Sequence, residues 1–329
     1  MRDAYDKFEA AGIEVYAISY DDQEALSEFS AKQGIPYRLL SDIDSEVIRR
    51  YGILNDQVGR ADFPLAGLPY PGVYVTDEAG IVVAKFFHDT YKKRDSPEAL
   101  IDAALGRIVL SDDAPSASGG DEEVRISAVV HGGKGTIRQG ILRRVVVRCE
   151  LGEGLHIYGQ PVPDGMVPTT VKVTGPPGLV VGDPVFPAPE MLRLESMGVE
   201  LPVWSGHVDI VVPFYPVAEL ASETRPLDAA NAPLQIEVRY QACNDAICFP
   251  PKTECLELEL ALDVIDVPAL GLHTGHGQRE GNFNAGPHMA RLVFRKFRKY
   301  PLGLPQFILK ALGRELGAKR RALRGWISE

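Results

Sequence analysis

Two cysteines carry the strongest chemical signal in this 329-residue chain. Cys243 and Cys248 lie in the run Tyr240-Gln-Ala-Cys-Asn-Asp-Ala-Ile-Cys-Phe-Pro-Pro251. The preceding LQIEVRYQ alternates as a strand does, Asn244-Asp245 is turn chemistry, and Pro250-Pro251 stops the segment. A short spacer in such a turn folds back and brings two sulfurs within bonding distance, which needs Cα atoms ~4.4–6.8 Å apart. A tight loop at a strand end is accessible, and reversible thiol–disulfide exchange requires access. A structural disulfide, or two unrelated thiols, fits the same spacing.

The remaining candidates are weaker. Cys149 in VVVRCEL and Cys255 in TECLELEL read as ordinary sheet cysteines, able to pair only if their strands are neighbours. Without two paired C-x2-C knuckles there is no four-cysteine zinc site. His273, His276 and His288 lack acidic or cysteine neighbours that would complete a metal site. No phosphate-binding glycine loop, Gly-x-Ser-x-Gly elbow or zinc-protease helix occurs. No metal and no cofactor is therefore expected.

Three regions and a linker must position these residues. Residues 1–108 alternate helix and strand signals. A helical face at Ala4, Tyr5, Phe8 and Ala11 ends at Gly12. A buried strand follows over 13–19, and a helix capped by Asp21 or Asp22 carries Leu26 and Phe29. A short strand at 37–40, a helix at 45–51 and a hairpin of 72–76 with 81–87 come next. A last helix, capped by Ser96, completes an α/β domain. Residues 109–122 contain SDDAPSASGGDE, which is polar and Gly/Ser-rich and reads as a linker. Residues 123–266 show strand patterns at 124–130, 144–150, 170–174, 207–212, 234–241 and 255–264. Gly/Pro clusters separate them, which points to an all-β sandwich. Residues 267–329 are a loop rich in His and Gly followed by a basic tail.

Charge is divided unevenly. The chain has 35 basic and 45 acidic side chains, a net charge of -10, yet Arg291 to Arg324 contains eleven Lys or Arg against one Glu. Such asymmetry marks a segment with its own role. The acidic remainder argues against nucleic-acid binding. In the tail, Phe294, Phe297, Leu302, Leu304, Phe307, Ile308, Leu312, Leu316 and Leu323 interleave with the cations, and Pro301 and Pro305 divide it into two short helices. Such a segment packs on the body or is drawn to an anionic membrane surface or an acidic partner. The opening MRDAYDKFEAAG has no apolar stretch before a small-residue cleavage site, so no signal peptide is visible.

The segment YQACNDAICFPP, following a strand in a β-sandwich, resembles the active-site hairpin of the immunoglobulin-like N-terminal domain of DsbD, a bacterial thiol:disulfide interchange reductase. Gly154-Leu-His-Ile-Tyr158 and Leu201-Pro-Val-Trp-Ser-Gly206 are similar to that domain too, so that the resemblance covers about residues 123–266. It implies that Cys243 and Cys248 cycle between dithiol and disulfide and exchange electrons with a thioredoxin-like partner. It also implies an aromatic cap over the pair, for which Trp204 and Tyr158 are the candidates, and a periplasmic or extracytoplasmic location. Which sulfur reacts first does not carry over, because the spacer differs among relatives.

Residues 1–108 resemble the later part of a thioredoxin-like redoxin or AhpC/TSA-type peroxiredoxin, carried by FEAAGIEVYAIS, SEFSAKQGIPYRLLSD and GLPYPGVYVTDEAG. Pro71 occupies the cis-proline loop of that fold, which implies a cis peptide there. Two departures stand out. No cysteine precedes Cys149, and the chain opens inside the helix that follows the redoxin active-site loop. The first strand and that loop are therefore expected upstream of Met1, in an N-terminally truncated chain. The other reading is a domain that has lost catalysis and only binds. The arginine of ordinary peroxiredoxins is missing at Pro69-Tyr70-Pro71. The resulting expectation is a thiol:disulfide oxidoreductase working through Cys243 and Cys248, with an intramolecular relay from its own redoxin domain in a complete chain. The alternatives are a peroxiredoxin-like antioxidant protein lacking its peroxidatic cysteine here, or a noncatalytic module with a structural disulfide.

Overall fold

The computed structural model describes residues 1–63, 65–90, 93–133, 135–194, 198–221, 229–244, 246–263 and 286–327. His273 and His276, with all of residues 267–285, and Asp245 of the cysteine turn lie outside the described residues.

The α/β region forms in the order its patterns indicate, but the strand expected to be buried over 13–19 covers Tyr16–Ser19 only, and its Tyr16 and Ile18 are exposed. Helix α1 (Tyr5–Ala10) is followed by strand β1 (Tyr16–Ser19), α2 (Gln23–Gln33), β2 (Arg38–Ser41) and α3 (Glu46–Arg50). The Asp22 side chain accepts the Ala25 N–H at 2.9 Å to start α2, and Gly34, in the left-handed region at φ 59°, ends it. Strands β1 and β2 pair in parallel from Tyr16↔Arg38 to Ser19↔Ser41. Buried Asp42 accepts the N–H groups of Glu46 and Ile48 at 2.9 and 2.8 Å and so nucleates α3. Strands β3 (Gly72–Thr76) and β4 (Val82–Phe87) form the expected hairpin, and Ser96 caps α4 (Pro97–Leu105) through the Ala99 N–H. The Tyr70–Pro71 bond is trans, contrary to the expectation for that loop. The cis peptide among the described residues is Gln160–Pro161.

The second region is a sandwich. Its five-stranded sheet has the order β11 (Leu179–Val181), β14 (His207–Pro216), β8 (Arg143–Leu151), β6 (Val124–His131), β5 (Ser116–Gly120). The four-stranded sheet facing it runs β10 (Thr170–Thr174), β15 (Asn231–Tyr240), β17 (Lys252–Leu262), β7 (Thr136–Ile137). Inward residues of both sheets, including Ile126, Val147, Ile210, Phe214, Leu234 and Ile236, make one continuous core. A third sheet, β12 (Glu190–Leu194), β13 (Val199–Ser205), β9 (His156–Tyr158), β16 (Ala242–Cys243), lies at the end where β15 leaves its sheet. Part of the expected linker is in fact β5, an antiparallel edge strand with register Ser116↔Val129 to Gly120↔Arg125. Its small, polar residues hide it from any hydrophobic pattern. Gly120 is required, because its φ is +91° and a Cβ there would meet the Val124 carbonyl at 2.1 Å. Asp121 turns the chain by accepting the N–H groups of Glu123 and Val124, each at 3.0 Å.

The tail consists of α5 (Gly286–Lys299) and α6 (Gly303–Ile327). The break falls at Pro301, while Pro305 sits in the first turn of α6, where a missing N–H costs no helical bond. Helix α6 is therefore one element of 25 residues rather than a short one. Met1–Val73 and Glu280–Glu329 make up one compact unit, and Tyr74–Arg279 the other. Within the first unit, Leu292 of α5 is buried with Tyr20 and Ile48. His288 lies 2.6 Å from Glu28, Arg291 3.0 Å from Glu24, Arg295 3.3 Å from Asp22 and Lys299 2.6 Å from Asp44, and Lys310 pairs with Asp62. Lys296 is buried over the Tyr20 ring at 4.7 Å and donates to the Ala66 carbonyl. That burial, with Arg295 and Lys299 nearby, lowers its ammonium to about 8. Among the described residues, no helix is long and apolar enough to cross a membrane.

Candidate functional site

The cysteine pair is placed by backbone geometry. Strand β15 alternates exposed and buried residues up to Tyr240 and delivers the chain to Gln241. Gln241 clamps three segments: its Nε2 donates to the Phe249 carbonyl at 3.1 Å, and its Oε1 accepts the Val167 N–H at 3.0 Å. The hairpin then closes by Phe249 N–H to Ala242 C=O and Asn244 N–H to Ile247 C=O, both at 2.9 Å. The Asn244 side chain accepts the N–H groups of Ala246 and Ile247, again at 2.9 Å. This is the turn chemistry that the sequence indicates. Cys243 and Cys248 therefore oppose each other across an antiparallel bridge, with Cα atoms 4.1 Å apart, and their sulfurs are bonded.

The two sulfurs are in unequal surroundings. Cys243 is 1% exposed, while Cys248 is exposed at the tip beside Ile247, itself 56% exposed. Cys243 clusters with Tyr158, Leu201 and Val203, and Val162 and Met166 of the loop after β9 pack on the cluster. The Tyr158 hydroxyl is 3.5 Å from the Cys248 sulfur, and burial raises its pKa above the ordinary tyrosine value.

Register assigns the rest. Trp204 is opposite Ile157, and Ile157 is opposite Ala242; His156 is opposite Cys243. Side chains alternate across a sheet, so Trp204, Ile157 and Ala242 face the sandwich core while His156, Tyr158 and Cys243 share the other face. Trp204 is therefore a core aromatic, stacked on Phe186 at 5.4 Å, and not a cap over the sulfurs. Tyr158 does lie at the pair. Pro71 belongs to the first unit and the cysteine pair to the second. His156, Gln241 and the Val162–Met166 loop were not singled out from sequence. Gln241 had a local signal in its place inside the cysteine motif, and His156 in its place inside the Gly154–Tyr158 segment.

Cys149 and Cys255 are free and lie on different sheets, so the two do not pair. Burial, reinforced by Asp209, pushes the Cys149 thiol up to about 12, and Cys255 is exposed on β17. No group of three or more metal-binding side chains occurs among the described residues; His288 contacts Glu28.

The fold and site thus present a disulfide-bonded cysteine hairpin at the end of an immunoglobulin-like sandwich, preceded by a thioredoxin-like segment. Residues 135–260 match the N-terminal part of the thiol:disulfide interchange protein DsbD, and residues 1–85 match the AhpC/TSA family. The chain is 36% identical to chloroplastic peroxiredoxin Q of Arabidopsis thaliana over 105 residues, 32% of this chain and 43% of that protein. It is 40% identical to chloroplastic peroxiredoxin Q of Oryza sativa subsp. japonica over 82 residues, 25% of this chain and 35% of that protein. The chain thus spans less than half the length of these relatives. Among solved structures, the N-terminal periplasmic domain of ScsB from Proteus mirabilis aligns with TM-score 0.31 and 15% identity, over 46% of this chain and 52% of that one. The reduced DsbD N-terminal domain of Neisseria meningitidis aligns with TM-score 0.24 and 16% identity, over 46% of this chain and 90% of that one.

Proposed function

We propose that the chain is a thiol:disulfide oxidoreductase whose working group is the Cys243–Cys248 pair. The unequal exposure of the two sulfurs carries this reading: one reachable sulfur bonded to one sheltered sulfur. An incoming thiolate attacks the exposed Cys248 sulfur and forms a mixed disulfide, and Cys243 leaves with the electron pair. A second thiolate from the same partner then releases Cys248, so the pair gains two electrons and the partner is oxidised. The reverse sequence reduces a partner disulfide. The resemblance to DsbD supports a thioredoxin-like protein as that partner. Residues 1–85 supply no thiol, since the first cysteine is Cys149.

The test is trapping. A Cys243→Ser chain keeps the exposed thiol and should form a stable mixed disulfide with a thioredoxin lacking its resolving cysteine; Cys248→Ser should not. If neither variant traps thioredoxin and the wild-type pair stays oxidised under a folded-state reductant, the disulfide is structural.

A membrane-surface role for the tail rests on a separate observation. Leu302, Leu309, Leu312 and Leu316 are exposed at helical spacings, and Lys319, Arg320, Arg321 and Arg324 follow in sequence. Co-sedimentation with phosphatidylserine vesicles, and not with phosphatidylcholine vesicles, is the expected result.

A further inference from the structure

The sheltered sulfur raises a chemical problem. When Cys248 is attacked, Cys243 must leave as a thiolate at a site 1% exposed. Burial of a bare thiolate is costly, as Cys149 in the same sandwich illustrates: surrounded by core, its thiol is held up to about 12. A good leaving sulfur has the opposite requirement. Something beside Cys243 must supply a proton.

The register supplies a candidate. His156 of β9 is directly opposite Cys243 of β16. Directly opposed residues of an antiparallel pair share a face, with Cβ atoms roughly 4.5–5.5 Å apart. The imidazole is 8% exposed and held edge-on to the Tyr158 ring, with centroids 5.4 Å apart and planes at 75°. Tyr158 in turn touches the Cys248 sulfur. The side chains are thus ordered around the disulfide: His156 shares the sheet face of Cys243, and Tyr158 stands between His156 and the exposed sulfur.

We infer that His156 is the proton carrier for Cys243, giving its proton to the sulfur as the disulfide opens and taking it back as the disulfide reforms. The inference rests on the oxidoreductase reading above. In the opening step a thiolate of an external dithiol attacks the Cys248 sulfur, the protein S–S bond breaks, and the Cys243 sulfur departs with the bonding pair and receives the imidazolium proton. The second thiolate of the reagent closes its own disulfide and frees Cys248. Two electrons move from reagent to protein, and His156 ends neutral.

Among the described residues, the other titratable groups that face this cluster are few. Tyr158 belongs to it, exposed Asp164 lies in the loop that covers it, and exposed Glu190 sits on β12, across β13 from Tyr158, while the bonded Cys248 does not titrate. Carboxylates ordinarily titrate near ~4, tyrosine near ~10 and imidazole near ~6.5. An inflection between about pH 5 and 9 that is lost in His156→Gln therefore reads the imidazole.

The experiment follows reduction of the oxidised full chain by dithiothreitol from pH 5 to 9, with each rate divided by the reagent's thiolate fraction. The normalised wild-type rate should be about tenfold or more higher on the acid side, with its midpoint in the imidazole range. His156→Gln, which keeps a polar side chain of similar size, should flatten the profile onto the alkaline plateau. An unchanged profile in His156→Gln overturns the inference. So does a flat wild-type profile, which needs no variant to fold. Failure of dithiothreitol to reduce the folded wild-type pair at any pH is a different result, and it removes the oxidoreductase reading together with this one.

Discussion

The two compact units of this chain are held together by different means. Tyr74–Arg279 buries a continuous apolar core in which Val145, Val147, Ile210, Phe214 and Val238 have no exposure. Met1–Val73 with Glu280–Glu329 has a far smaller core around Tyr20, Ile48 and Leu292, and joins its two sequence-distant parts with a row of ion pairs. Burial of apolar area is insensitive to pH and salt, whereas surface ion pairs are individually weak and are screened. The sandwich therefore forms a stiff mount for the cysteine pair, and the first unit is a conditional assembly.

That contrast can be broken most severely in the sandwich. Phe214→Ala should cost about 3–5 kcal/mol, read as a lower denaturant midpoint for Tyr74–Arg279, because it empties a site shared by both sheets. Leu292→Ala should cost less, about 2 kcal/mol, and appear as faster hydrogen exchange in β1 and α3 with β8 and β14 unaffected. Equal losses in both units would erase the distinction.

Acid should loosen the ion pairs that join the two parts of the first unit. Lys32 and His288 hold Glu28 below its ordinary value, and Lys299 and Lys310 do the same for Asp44 and Asp62. Groups depressed in this way stabilise fully above their unfolded values of about 4 and lose that contribution as pH falls through the folded ones. Exchange protection of α5 should therefore drop below about pH 4, sooner in high salt, before that of the sandwich core. The smallest effect is alkaline. Lys296 is lowered to about 8 in the fold, so between pH 8 and its unfolded value of ~10.4 the unfolded chain holds the extra proton. Stability of the first unit should rise across that window, and Lys296→Met should remove the slope.

Most of the sandwich could be read directly, because strands such as β15 alternate over ten residues and one face must be buried. The cysteine hairpin was legible for a similar reason, with turn residues and a proline stop at fixed places. Strands β9 and β16, of three and two residues, are too short to show any period, and they set the face of every side chain at the site. That is why Trp204, plausible as a cap by its place in the chain, lies on the wrong side of its sheet, and why His156 was passed over. The tail's excess charge was plain in the sequence. Its acidic partners were not, because Asp22, Asp44 and Asp62 lie more than two hundred residues away and only the fold brings them near.

The split composition of the first unit has a consequence for synthesis. A ribosome makes residues 1–73 early and residues 280–329 last. At ~5–20 residues per second, on the order of 10–40 s separate them. During that interval the sandwich can fold while the opening segment waits for α5, so assembly of this chain finishes at its beginning.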